Sequence, residues 1–466
     1  PPPLFQAEDG IRDLSLSLVG SEMCIRDRCI MPRRAPVCQE ASLGCAAATP
    51  LPSTPFRPVP SDEECNRSPG CMPSGHPQST FVNYRVPFNK PGIIGRELHY
   101  MAETVAAGQT AGEGRFVRAC EKLLEDRFDA ERVLLTTSCT SALEMAAILC
   151  DLQPGDEVIL PSYTFVSTAN AFFLQGAKLV FVDIRPDTLN LDESLIEAAV
   201  TDRTRVVAPV HYAGVSTAMR DVEAVAQRHD LIVVEDAAQS VDATYEGRYS
   251  GTLGDFGCYS FHETKNFICG EGGALVVRDP AIVARAECVR EDGTNRRLFE
   301  RGEIDRYEWT DRGSSYLLPE LLAAYLYAQL ENMDRISERR REIYHRYREG
   351  LESLEHRGDI RLPIIPDDCV TNYHMFYLLA ESEPVRAALI DHLKERGILS
   401  VFHYVSLHAS PVGQSLGYRK GMLPVTESIC DRLLRLPMYF DLTDSDVDEV
   451  IAGIQSFYGL SGSTGP

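Results

Sequence analysis

The chain reads as an α/β protein whose mostly parallel sheet is covered by helices on both faces. Three observations predict this. Short apolar runs suited to buried strands recur at 133–136, 157–160, 178–182, 205–209, 231–235 and 273–277. Helical patterns at 141–149, 168–175, 192–199 and 219–229 lie between them, after two more at 95–107 and 114–128. Strands that alternate with helices need crossover connections, and these place helices on both faces of a parallel sheet. The third observation is a change of pattern near residue 319, where a long helical stretch runs to about 354. Beyond it, strand-like runs at 372–380 and 400–404 mix with helices at 384–396 and 443–458, as in a small α+β domain. The expected division is a large domain over 86–330 and a small one over 331–460.

Composition narrows the function classes. The 466 residues can hold both domains with ample core, and 44% apolar with 24% charged content is ordinary for a globular protein. A net charge of −22 disfavours a general basic surface for nucleic acid or anionic membrane. The longest apolar runs, such as 231–234, are far too short to cross a bilayer. Of fourteen cysteines, six precede residue 80 and the rest are scattered without a CxxC pair. That scatter points to reduced thiols in a cytoplasmic protein and predicts no metal site.

Residues 1–80 do not share the pattern of the remainder. They are rich in Pro, Ser, Cys and Gly, and Leu14-Ser-Leu-Ser-Leu-Val19 is too short and serine-rich for a signal peptide core. Residues 6–13 (Gln-Ala-Glu-Asp-Gly-Ile-Arg-Asp) and 18–27 (Leu-Val-Gly-Ser-Glu-Met-Cys-Ile-Arg-Asp) resemble a sequencing-library primer and its adjoining adapter, translated in one frame. Residues 6–28 are therefore expected to be non-native, and 29–80 to be read-through or a poorly ordered leader.

The chemistry concentrates around Lys265. Leu231-Ile-Val-Val-Glu-Asp236 is an apolar strand that delivers an acid, and acids at such strand ends line the ligand crevice of open α/β sheets. Lys265 follows in Ser260-Phe-His-Glu-Thr-Lys265-Asn, just before Gly270-Glu-Gly-Gly. A lysine in this setting suits an imine to pyridoxal 5′-phosphate (PLP), with Asp236 holding the pyridine nitrogen protonated. Thr136-Thr-Ser138-Cys139-Thr140 lies at a strand-to-helix junction, where free N–H groups and hydroxyls form an anion site. Taken singly, Asp236 serves equally well as a helix cap, Ser138 or Thr140 as an N-cap, and Phe165 as a core aromatic.

Together these runs carry a resemblance. Gln153-Pro-Gly-Asp-Glu-Val, Pro161-Ser-Tyr-Thr-Phe-Val-Ser-Thr, Val210-His-Tyr-Ala-Gly, Val234-Glu-Asp-Ala-Ala-Gln239, Ser260-Phe-His-Glu-Thr-Lys-Asn, Gly313-Ser-Ser-Tyr316 and Val401-Phe-His-Tyr404 resemble the DegT/DnrJ/EryC1/StrS family of PLP-dependent sugar aminotransferases over residues 88–458. The resemblance implies the fold type I architecture of PLP-dependent transferases, similar to aspartate aminotransferase, with a mostly parallel seven-stranded sheet and a small C-terminal α+β domain. It implies Lys265 as the imine lysine and Asp236 at the pyridine nitrogen, with Gln239 at the ring hydroxyl. Ser138, Cys139, Thr140 and Ser260 would hold the phosphate, and Phe165 would stack on the ring. It further implies a homodimer with shared active sites, in which the loop bearing Asn295 reaches the second subunit's site. Tyr316, His374, His403 and His408 become candidate substrate contacts on the small-domain side.

The implied reaction moves an amino group from glutamate, which leaves as 2-oxoglutarate, to C4 of a nucleotide-linked 4-keto-6-deoxy sugar. A 3-keto or other nucleotide-sugar aminotransferase would use the same cofactor residues. Family members that act as dehydratases carry histidine in place of the lysine, so Lys265 argues against that chemistry. A non-catalytic PLP-binding regulator is the rival from another class; it would need a nucleic-acid-binding segment, and none is visible before residue 86.

Overall fold

The computed structural model describes residues 84–460, so the readings of residues 1–80 lie outside the described residues. Seven strands form one sheet: β1 (Arg132–Thr136), β2 (Glu157–Pro161), β3 (Lys178–Val182), β4 (Thr204–Val207), β5 (Ile232–Asp236), β6 (Phe256–Ser260) and β7 (Gly273–Val277). Their order is β1-β7-β6-β5-β4-β2-β3. Strands β3, β2, β4, β5 and β6 run parallel, and β7 lies antiparallel between β6 and β1. The longer helices are α1 (Glu97–Ala106), α2 (Arg115–Phe128), α3 (Cys139–Leu149), α4 (Val166–Phe173), α5 (Met219–His229), α6 (Pro280–Arg290), α7 (Glu320–Leu330), α8 (Met333–Arg357), α9 (Glu383–Glu395) and α10 (Asp444–Phe457).

Both faces of the sheet are covered, which is why its strands read as continuous apolar runs. Along β1, Val133 and Leu135 pack with Phe116, Cys120 and Leu124 of α2. Leu134 between them faces the other layer, against Ala142, Leu143 and Ala146 of α3. The period of two along the strand thus builds two cores at once.

The smaller sheet contains β8 (Ile360–Arg361), β9 (Tyr377–Ala380), β10 (Val401–Phe402) and β11 (Leu433–Arg435), paired antiparallel in the order β8-β9-β11-β10. Its core unites Phe376, Leu378 and Leu434 with Tyr347 and Leu351 of α8 and Val450 and Ile454 of α10. Val86 belongs to this core too and bridges Ile398, so the first described residues pack with the C-terminal elements rather than with the large sheet.

Several local readings change. The expected helix over 319–354 is two helices, α7 and α8, divided at Asn332, whose backbone sits at φ −114°, ψ 21° and whose Nδ2 donates to the Ala328 carbonyl at 2.8 Å. Helix α7 belongs to the large core, whereas α8 runs from Met333 in that core to Leu354 in the small one and so joins the two. The run 372–380 is a strand only over Tyr377–Ala380. Its first part turns inward because Asn372 Nδ2 donates to the carbonyls of Gln239 (3.0 Å) and Val241 (2.8 Å). Strand β6 had no local signature, since Phe-Gly-Cys-Tyr-Ser lacks both alternation and β-branching. Gly257 is needed there because any Cβ would strike the Gly251 backbone.

Among the described residues no helix is long and apolar enough to cross a membrane. All eight cysteines from Cys120 to Cys430 are free thiols.

Candidate active site

Strand β5 ends in Asp236, and its carboxylate is held from two sides. Thr168 Oγ1, on α4, donates to Oδ2 at 2.6 Å, and the Ala238 amide donates to Oδ1 at 3.1 Å. Behind it, Glu235 faces the opposite side of the sheet, as strand alternation requires. There it accepts from the amides of Gly251 (2.8 Å), Leu253 (2.7 Å) and Gly254 (2.6 Å) and contacts His211 Nε2 at 2.7 Å. One acid of the pair thus anchors the loop leading into β6, and the other opens onto a cleft.

That cleft has a volume of about 620 Å³. Ser138, Cys139, Thr140, Phe165, Asp236, Gln239, Ser260, Lys265, His374 and His403 all line it. Ser138 caps α3, its Oγ accepting from the Ser141 amide at 3.1 Å. The remaining first-turn amides and the helix dipole therefore face the cleft as an anion site, which the hydroxyls of Thr140 and Ser260 extend. Gly273 of β7 makes this junction possible, because a Cβ there would collide with the backbone of Ser138 and Cys139. Gln239 accepts from the Ala213 amide at 2.8 Å and donates to Tyr404 Oη at 3.0 Å, which fixes its amide at the cleft wall. Phe165 caps the start of α4 with its ring 56% exposed, leaving a free aromatic face.

Lys265 sits in a tight loop in which its amide donates to the His262 carbonyl at 2.9 Å. Burial lowers its pKa to about 8; the neighbouring Cys139 and Asp236 oppose that shift and Arg435 adds to it. About a tenth of the amine is therefore neutral at pH 7, far more than for an ordinary lysine, and only the neutral amine is nucleophilic. His374 and His403 are also pushed well below the usual histidine range, chiefly by burial and then by the surrounding cations. Both act as neutral hydrogen-bonding groups: His374 Nδ1 lies 3.0 Å from Asn266 Oδ1 and His403 Nδ1 lies 2.9 Å from Tyr212 Oη.

His408 and Tyr316 do not line this cleft, and Asn295, expected in a second subunit's site, lies outside it too. His408 is fully buried between Ser162 Oγ (2.8 Å from Nδ1) and Glu427 Oε1 (3.0 Å from Nε2). Tyr316 donates its hydroxyl to Glu144 at 3.1 Å, beside α3. Asn295 leads into a short surface helix and accepts from the Glu308 amide at 2.7 Å. Tyr404 and Arg435 also line the cleft and Thr168 lies behind Asp236, none of them an expected site residue. Thr168 and Tyr404 stand in runs that carry the resemblance, whereas Arg435 had no local signal, and only contacts between distant segments bring the three together.

The donor set suits PLP: hydroxyls and a helix N-terminus for phosphate, a buried carboxylate for a pyridine nitrogen, an exposed aromatic face, and a lysine of depressed pKa. Fold and cleft together place the protein in the class of PLP-dependent aminotransferases. The aminotransferase TlmJ from Streptoalloteichus hindustanus superposes with a TM-score of 0.73 at 30% identity, covering 80% of this chain and 98% of that one. Spr1654 from Streptococcus pneumoniae, in its PLP form, gives 0.74 at 25% identity with the same coverage.

The chain belongs to the DegT/DnrJ/EryC1/StrS aminotransferase family, matched over residues 92–455. The spore coat polysaccharide biosynthesis protein SpsC of Bacillus subtilis is 34% identical over 381 residues, spanning 80% of this chain and 97% of SpsC. A pleiotropic regulatory protein of Geobacillus stearothermophilus is 36% identical over 321 residues, spanning 68% of this chain and 83% of its own length.

Proposed function

We propose that this protein is a sugar aminotransferase that moves an amino group from glutamate to C4 of a nucleotide-linked 4-keto-6-deoxy sugar. The best-supported pair is dTDP-4-keto-6-deoxyglucose as acceptor and dTDP-4-amino-4,6-dideoxygalactose as product. The single observation that carries the aminotransferase chemistry is Lys265, poised near pKa 8 in the same cleft as Asp236. The sugar reading rests on the motif resemblance and on the likeness to SpsC, a polysaccharide biosynthesis protein.

Bound PLP supplies an electron sink and a carrier for the amino group. Lys265 Nζ would hold the cofactor, and its free amine would take the α-proton of the donor as general base and pass it on as general acid. Asp236 would keep the pyridine nitrogen protonated, and its bond from Thr168 fixes the carboxylate for that task. Gln239 would donate toward the ring hydroxyl, Phe165 would cover one ring face, and Ser138, Cys139, Thr140 and Ser260, which line the cleft at the start of α3, would hold the phosphate. His374 and His403, both neutral, contribute hydrogen bonds rather than charge to the substrate side. Asn295 acts in the site of a second subunit, in a homodimer with shared active sites.

Purified protein assayed with glutamate against dTDP-4-keto-6-deoxyglucose and its 3-keto isomer tests the reading. Turnover of the 4-keto sugar alone supports it; turnover of the 3-keto isomer alone moves the assignment to a related aminotransferase. Likeness to a pleiotropic regulatory protein favours a second reading, a PLP-binding regulator. Cofactor uptake without turnover of either sugar would select it.

A further inference from the structure

We propose that Arg435 anchors the carboxylate of the amino donor, next to the carbon that gives up its nitrogen. This rests on the aminotransferase reading and names the residue that recognises one of its two substrates. Arg435 ends β11, where it pairs with Tyr377 and Val401, and it lines the cleft together with Lys265, His374 and His403.

Its guanidinium has no counter-ion among the described residues. Among the described residues no carboxylate lies within ion-pairing distance, and Nε is buried without a hydrogen-bond partner. Its Cζ lies 4.8 Å from the centroid of the neutral Phe88 ring. Arg340, which also sits behind the cleft, differs: it donates to the carbonyls of Tyr373 (3.1 Å) and His374. A half-buried guanidinium whose Nε has no acceptor and whose side chain lines a cleft is well placed to meet an incoming anion. The nearby ionisable groups do not help, because Lys265 and both histidines are pushed toward neutrality with Arg435 among the causes.

Three anions enter the proposed chemistry. The cofactor phosphate has its own hydroxyls and helix terminus at Ser138 to Thr140 and Ser260. The diphosphate of a nucleotide sugar hangs from the anomeric carbon, far along the ring from a reacting C4. A donor's α-carboxylate is bonded to the carbon bearing the transferred nitrogen, so it must lie within a few bonds of Lys265 Nζ. Arg435 is the arginine whose charge is felt at Lys265, and its planar fork fits a carboxylate by two hydrogen bonds.

The test uses PLP-loaded protein, wild type and the variants Arg435→Gln and Arg435→Lys. Glutamate is mixed in without sugar, and loss of the cofactor's visible band is followed against glutamate concentration. Arg435→Gln is expected to raise the half-saturating glutamate by about 30-fold, with Arg435→Lys in between. The visible band before mixing and the affinity for dTDP should not change. Glutarate, which cannot react, should protect the wild type against thermal unfolding and fail to protect Arg435→Gln. Unchanged glutamate dependence, or a loss confined to dTDP affinity, overturns the proposal. If Arg435→Gln does not fold, Arg435→Lys decides by the same two readouts. A wild type that takes up no PLP would instead sink the aminotransferase reading itself.

Discussion

Thr168 Oγ1 meets Asp236 Oδ2 at 2.6 Å, so a helix on one side of the cleft sets the orientation of the carboxylate on the other. Thr164 Oγ1, 2.7 Å from Thr168 Oγ1, extends the chain one step further. Thr168→Val keeps the shape and removes the donor. Because hydrogen bonds to charged groups contribute about 1.5–3 kcal/mol, PLP affinity should fall by about tenfold or more, with little change in melting temperature. Spectroscopic titration of the variant with PLP checks this, and undiminished affinity would show that Asp236 needs no such support.

Lys265 predicts a pH dependence with a definite sign. Its folded-state pKa is about 8, below the ordinary lysine value of 10.5, so the reactive neutral amine is gained as pH rises through 8. The rate of PLP attachment to cofactor-free protein should climb from pH 6, pass half its maximum near pH 8 and level off above about pH 9. A rate still climbing toward pH 10 would mean an unperturbed lysine. Lys265→Ala should show neither the visible band nor turnover.

His408 separates structural from substrate-binding histidines. Enclosed by Ser162 and Glu427, it bears on the packing beneath the cleft and does not line it. His408→Ala should cost about 2–4 kcal/mol of stability, read from denaturant unfolding, and leave KM for the sugar nucleotide within about twofold. A large KM change with unaltered stability would restore it as a substrate contact.

The proposed dispensability of residues 1–80 yields a plain expectation. A chain beginning at residue 81 should fold, take up PLP and turn over as the full chain does. Loss of solubility or activity would mean that some of this segment works with the described residues.

Much of the site was legible in the sequence because its parts are short runs whose local geometry is self-determined. The carboxyl ends of parallel strands line the ligand crevice of an open α/β sheet, so Asp236 at the end of Leu231-Ile-Val-Val-Glu could be placed at a crevice before any fold was known. The Ser138 cap follows from a strand-to-helix junction in the same way. Strand β6 was not legible, since its five residues are held in place by neighbours on both sides rather than by their own propensity. The break at Asn332 has no local signal because helical periodicity continues across it; the backbone turn at Asn332 divides α7 from α8, and only packing carries α8 on from the large core to the small one.

By itself, then, the sequence determined the α/β class, the family and the lysine, acid and anion-binding junction, all written in contiguous residues. Tertiary structure alone decided which distant side chains complete the cleft: Thr168 against Asp236, Tyr404 against Gln239, and Arg435 beside Lys265. It also decided that His408 supports the wall and that Lys265 has a depressed pKa. The physical reason is that burial and charge environment belong to a position in space, and no stretch of neighbouring residues specifies them.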